Sequence, residues 1–236
     1  MKITFNIAFA VAFMAFNNLQ AQSPAESDIY GRLVGHGNES VSALETVLKA
    51  SDNYSTAVLF MGSAVAYRLK QLDDSAFLMY IAEIRVQFDH ALFPPTGTDD
   101  NDPVQTFAAL QQQLGGMINP AIMQKPKLFA KVLARVKAWT PKVSENYNPG
   151  WEFSKKESAN EGEAALKNAK KEFLKTMDGL CTLLQDNAYF AAFKTSQDYN
   201  LKSSGKPSKQ AYDAAVQTMK RIEKEKGIYG FATNAG

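Results

Sequence analysis

The chain has 236 residues, is 45% hydrophobic and 21% charged, and carries a formal net charge of only +2. That length and apolar share support one domain, or one domain with a smaller helical lobe, around a real core. The near balance of 26 basic and 24 acidic side chains gives no electrostatic case for nucleic acid or an anionic membrane, and the single cysteine, Cys181, excludes an intrachain disulfide.

Met1 and Lys2 make a short positive start. Ile3 to Phe16 is apolar apart from Thr4 and Asn6, and the chain then turns polar and reaches a small residue at Ala21. This order is that of a cleavable secretory signal, so residues 1–21 are expected to be removed, with Ala25 as the second-choice cleavage position. The apolar run is too short to span a bilayer, and no later segment is apolar enough to do so. The mature chain is expected to be periplasmic or secreted.

Helix signals then follow one another along the chain. Ser42-x-x-Glu45 has capping-box spacing, and Val41, Leu44, Val47 and Leu48 share a face, so a first helix is expected from about Ser40. A second runs over 54–71 with a stripe of Ala57, Val58, Met61, Ala64, Val65 and Leu69, and Gly62 and Ala66 leave room for a close neighbour. Asp73 reads as the cap of a third, flanked by a Leu72–Phe77 staple. This helix carries Phe77, Tyr80, Ile81, Ile84, Phe88 and Leu92 and stops at Pro94-Pro95. The short link between the second and third predicts an antiparallel hairpin.

A fourth helix is expected from an Asp102 cap and Pro103, ending at Gly115-Gly116. A fifth opens at Pro126 and ends before Pro141, with Phe129, Val132, Leu133, Val136 and Trp139 inward. Residues 141–160 are a polar loop with a turn at Asn148-Pro149-Gly150. A sixth helix spans about 161–185, and 187–199 continues it as helix or as a bent extension. Lys202 to Lys206 is a flexible link, a last helix runs from about 207 to 226, and the residues after Gly230 read as frayed.

No segment alternates with period two. The expected fold class is all-α, with antiparallel helical hairpins stacked as a bundle or short solenoid-like array. In general plan this resembles tetratricopeptide and Sel1 hairpin repeats, although no motif recurs at a fixed period. The expected organisation is a signal at 1–21, a hairpin region at 22–140, a loop at 141–160, and a C-terminal helical region at 161–236 packed on the first.

Candidate chemistry is sparse. His36 and His90 are too far apart in sequence to form a local metal-ligand pair. Asp99 to Asp102 offers oxygen donors, but an EF-hand register starting at Asp99 or Asp100 places Leu110 or Gln111 where glutamate is required. No phosphate loop, dinucleotide fingerprint or Gly-x-Ser-x-Gly occurs, and no metal or cofactor is expected. Asn38-Glu39-Ser40 and Tyr147-Asn148-Pro149-Gly150 resemble the Glu-Ser and Tyr-Asn-x-Gly pieces of lytic transglycosylases. The Gly-Leu-Met-Gln block of that family is replaced here by Lys49-Ala50-Ser51-Asp52.

Glu83 and Gln87 are four apart on one helix face, and so are Arg85 and Asp89. The latter make either an exposed intrahelical pair or a grip on a partner in the hairpin groove. His90 sits beside them near the helix end, where it suits the last carbonyls. Tyr147, Trp151 and Phe153 are aromatics in a polar loop, acting as plugs or as interface anchors. Cys181 lies in an apolar helical context and reads as a buried small hydrophobe. The basic residues of the C-terminal helices interleave with glutamates as a solvated face.

The expected function is therefore an exported, non-catalytic binding protein for a protein partner in the envelope, with an immunity or anti-toxin protein as a specific form. Its binding candidates are Arg85, Asp89, His90, Tyr147, Trp151 and Phe153. The alternatives are an envelope hydrolase using Glu39, His36, Asp89 and His90, and a small-molecule carrier with an apolar cavity between helices.

Overall fold

The computed structural model describes residues 24–96, 103–200 and 206–232. The signal at 1–21, the acidic loop at Asp99–Asp102 and the link at Lys202–Gly205 lie outside them. The described residues are all-helical, as expected. Nine α-helices are α1 Pro24–Val34, α2 Asn38–Lys49, α3 Thr56–Arg68, α4 Leu72–Leu92, α5 Pro103–Met123, α6 Pro126–Ala138, α7 Ala159–Leu184, α8 Asn187–Asn200 and α9 Lys209–Lys226. A 3-10 turn at Ser51–Asn53 joins α2 to α3. Among the described residues the one β-type pairing is an isolated bridge between Pro95 and Phe153.

The fold is built around the α3–α4 hairpin. Ten of the thirteen residues of α3 and fourteen of the twenty-one of α4 are buried. The sequence pattern predicted a one-sided stripe; the structure surrounds both helices. The physical reason is composition: α3 carries a single charge, Arg68, at its last position, and a helix apolar on all sides is stable only inside a core. Ser63 donates to the Ser75 carbonyl (2.8 Å) and Ser75 to the Ser63 carbonyl (3.0 Å), which fastens the two helices together. The expected close approach at Gly62 is present: a Cβ there would meet Leu78 Cδ1 at 3.1 Å and Val47 Cγ1 at 3.5 Å.

Several boundaries differ from the sequence reading. α1 was not foreseen; it buries Glu26, Ile29 and Leu33. α2 begins at Asn38, so Ser42 and Glu45 lie inside it and form no capping box. α4 begins at Leu72, which puts Asp73 within its first turn rather than at its cap. There Asp73 and its neighbour Asp74 face α6, with Asp74 2.9 Å from Arg135. α5 does not stop at Gly115-Gly116 but runs on through Pro120 to Met123. The real capping box is Ser158–Glu161, at the start of α7. Residues 187–200 form a separate helix after a break at Gln185–Asp186.

The C-terminal segment, read as frayed, is pinned as far as Ala232. The buried Glu223 carboxylate accepts from Tyr189 Oη (2.9 Å), Gly230 N (3.1 Å) and Ala232 N (2.6 Å). The main apolar core runs from Ile29 in α1 to Ala232, so α7–α9 pack on the same core as the N-terminal hairpins, and a smaller cluster holds Phe88, Leu92 and Phe93. No described helix is long and apolar enough to cross a membrane.

Because Gly62 is closed in by Leu78 and Val47, Gly62→Val is expected to wedge α3 from α4. The expected loss is about 1–3 kcal/mol of stability, typical of core overpacking, read by urea denaturation.

Candidate functional site

Arg85 and Asp89 are fully buried, so they form neither an exposed pair nor a solvent-facing grip. Arg85 Nε lies 3.0 Å from both Asp89 carboxylate oxygens. The Tyr147 hydroxyl donates a very short hydrogen bond to Asp89 Oδ2 and receives one from Arg85 Nε at 3.1 Å. Arg85 Nη1 donates to the carbonyls of Asp52 (3.3 Å) and Lys142 (3.1 Å). The guanidinium also lies 4.3 Å from the centre of the Tyr147 ring. Burial pushes the Asp89 carboxyl up, while Arg85 and Tyr147 pull it back down. The network ties α4 to the 3-10 turn and to the loop after α6.

The aromatic loop is fastened in the same region. Trp151 is buried and its indole donates to the Phe93 carbonyl at 2.8 Å. Phe153 is exposed, with its ring edge-on to Phe93 at 5.0 Å between centroids. Glu157 N, Ser154 N and Thr96 N complete the seam by donating to Leu92, Pro94 and Glu152 carbonyls. Of the predicted binding residues, Arg85, Asp89, Tyr147 and Trp151 therefore converge, but on one another. Phe153 and the half-buried His90 remain at the surface nearby.

The residues considered for hydrolysis do not converge. His36 Nδ1 lies 3.2 Å from Arg68, at the end of α3 that abuts the start of α4. Asp89 and His90 are at the far end of α4, roughly 25 Å along the helix at 1.5 Å per residue. Glu39 is exposed in the first turn of α2, while Tyr147 is engaged with Asp89. Cys181 is buried, and burial pushes its thiol up, which disfavours the thiolate.

A different site emerges that sequence reasoning passed over. A cavity of about 560 Å³ lies between α5 on one side and α7 and α8 on the other, with α4 contributing Glu83. Ala108, Gln111, Gln112, Gly115, Gly116, Asn119, Pro120 and Met123 of α5 form one wall. Met177, Leu180, Phe193 and Phe231 are prominent on the other. Asn119 is held in place by the Tyr80 hydroxyl, which donates to its Oδ1 at 2.9 Å.

Among the described residues Glu83 is the only ionisable side chain lining this space. Burial alone pushes its carboxyl up to about 8. Glu83 and Gln87 read in sequence as another i,i+4 pair; the missed signal is that Glu83 interrupts a helix apolar on nearly every side. Among the described residues no three His, Cys, Asp or Glu side chains come together as a metal site.

Compared with protein-family models, characterised proteins and solved structures, the chain matches none.

Two outcomes are expected. Asp89→Ala leaves the Arg85 charge buried without its counter-ion, at a cost of about 3–5 kcal/mol. Tyr147→Phe removes only a hydroxyl and costs about 1–3 kcal/mol. Chemical denaturation of the two variants gives the order.

The Glu83 carboxyl titrates at an ordinary 4.5 when unfolded and near 8 when folded, so the folded state holds its proton more tightly. The stability this group contributes is complete below the unfolded value and is lost as pH rises through the folded one. Glu26 and Asp89, also raised by burial, act in the same direction. Glu161 and Asp186, held down by their hydrogen bonds, act the other way at acid pH, so the Glu83 effect is read between about pH 5 and 8, where the Tm of Glu83→Gln should fall less steeply than that of wild type.

Proposed function

We propose that the protein is an exported, non-catalytic binding protein that holds a small ligand in the groove containing Glu83. The observation that carries this reading is the half-buried Glu83 carboxyl set in a groove whose other lining residues are uncharged, among them Gln111, Gln112, Asn119, Met177, Leu180 and Phe193. Concave, mostly apolar sites with a few placed polar groups are the usual form of small-ligand sites. Export rests on the Met1–Ala21 pattern.

The α5 wall supports the same reading. Glycine in a helix interior costs about 1 kcal/mol relative to alanine, and proline about 3. α5 carries Gly115, Gly116 and Pro120 within six positions, and all three line the cavity. Gly115 is buried close to Asn119, while Gly116 is exposed with nothing within 4 Å of a side chain built there, so the space beside Gly116 is left open for an occupant. The protein-partner reading, including its immunity form, had its anchors on the loop seam, where Arg85, Asp89, Tyr147 and Trp151 are consumed in internal bonds.

A side chain built at Gly116 meets no atom within 4 Å. Gly116→Leu is therefore expected to fold, with stability equal to or above wild type because leucine is the better helix former. Wild type should enhance the fluorescence of a neutral apolar probe such as prodan, and Gly116→Leu should weaken that binding several-fold. Equal binding by both proteins would remove the groove as the site. Mass spectrometry of protein recovered from the envelope or medium of its host should find a chain beginning at Gln22.

A further inference from the structure

Resting on the groove reading above, we propose that its ligand is a small organic amine whose ammonium group pairs with Glu83 and whose carbon skeleton lies against Met177, Leu180, Phe193 and Phe231.

The argument starts from charge. Among the lining residues Glu83 is the one acid, and no lysine, arginine or histidine accompanies it. Among the described residues no cation pairs with the Glu83 carboxylate, unlike Asp89, which has Arg85. A carboxylate in such a place is costly unless a cation arrives with the ligand. An anionic ligand would hold Glu83 in its protonated form and gain no ion pair, and a purely apolar one would leave the acid unused.

The backbone adds a second acceptor. In a regular helix the carbonyl of residue 116 receives the N–H of residue 120. Residue 120 is Pro120, which has no N–H. The Gly116 carbonyl thus lacks its usual helical donor, and Gly116 has no side chain to cover it. Gly116 and Glu83 line the same cavity. An ammonium brings three donors and no acceptor, which matches a carboxylate and a backbone carbonyl. Phe193 and Phe231 supply ring faces that tolerate a cation and pack its stem.

Binding is coupled to a proton. Burial holds Glu83 protonated at neutral pH, since its carboxyl titrates near 8. Of the neighbouring groups, Tyr80 on the same helix is titratable, and its hydroxyl is occupied by Asn119. α5, α7, α8 and Phe231 present no ionisable side chain to the cavity. An arriving ammonium favours the carboxylate, so the Glu83 proton leaves to solvent as the amine binds.

The test is calorimetric titration of the full mature chain with n-hexylamine and with 1-hexanol, its near-isosteric neutral counterpart. Wild type should bind the amine more tightly than the alcohol. Repeating the titration at neutral pH in two buffers of different ionisation enthalpy should reveal proton release on amine binding. Glu83→Gln should weaken the amine roughly tenfold or more, the effect of losing a charge-assisted bond, and leave the alcohol nearly unchanged. A short acetylated lysine peptide, titrated in parallel, separates a free amine from the side chain of a protein as the source of the ammonium; weak peptide binding beside tight hexylamine binding is expected. Tighter peptide binding overturns the small-ligand assignment. A wild type that takes the alcohol as well as the amine, or a Glu83→Gln chain with unchanged amine affinity, overturns the ligand class and leaves the groove standing. A wild type that binds neither probe, with prodan also excluded, overturns both.

Discussion

The guanidinium of Arg85 is the constraint around which one end of this protein is organised. A fully buried positive charge is tolerable only where carboxylate and carbonyl oxygens replace water around it. Here those oxygens come from four places in the chain: Asp89 one helical turn away, the Asp52 carbonyl, the Lys142 carbonyl and the Tyr147 hydroxyl. Lys142 and Tyr147 share the loop after α6, so coordinating one side chain fixes three segments, the 3-10 turn, the end of α4 and that loop, relative to one another. The long polar loop is therefore ordered by a charge beneath it. Such networks specify an arrangement more than they stabilise it, since an apolar replacement of similar shape can be as stable.

A second set of buried carboxylates does related work elsewhere. Glu26 accepts the Ser55 amide at 2.7 Å, a negative group at the start of α3. Glu223 gathers Tyr189 and two amides of the C-terminal segment. Lys170 plays the reverse role, donating to the Lys137 and Trp139 carbonyls at 2.8 and 2.7 Å at the end of α6. Glu26 and Lys170 each meet a helix end that has run out of helical partners, while Glu223 gathers amides of the chain beyond α9. Glu83 stands apart from this pattern, and the contrast is what marks it.

The fold class was legible because apolar residues recur at helical spacing and prolines and glycines punctuate them. Pro126 opens α6 where expected, and Gly227 closes α9 with a φ of 65°. Depth was less legible. Polar residues four apart on a helix usually face water, so Arg85–Asp89 and Glu83–Gln87 read as surface pairs. The discriminating signal was the rest of α4: Phe77 to Val86 offers almost no polar residue on any side, which leaves no face for solvent. α1 was missed because Pro24 to Val34 follows the signal closely and holds only Ile29 and Leu33 as strong core residues. A loop aromatic's role depends on what lies beneath it, and Trp151 finds the Phe93 carbonyl 58 positions away, a pairing no local pattern encodes.

The least expected element is α5, and its persistence has a physical explanation. Gly115-Gly116 looks like a stop because glycine favours the end of a helix. A stop also needs the backbone to turn, and neither glycine adopts a positive φ. Ile118 and Ile122 beyond them are fully buried, so continuing the helix keeps two isoleucines in the core. Burying one such side chain contributes about 1.5–3 kcal/mol, comparable to the combined helix penalty of the glycines. Tertiary packing thus outweighs local preference on the inner face of α5. The outer face is left free to lack side chains, and that freedom makes room for the cavity.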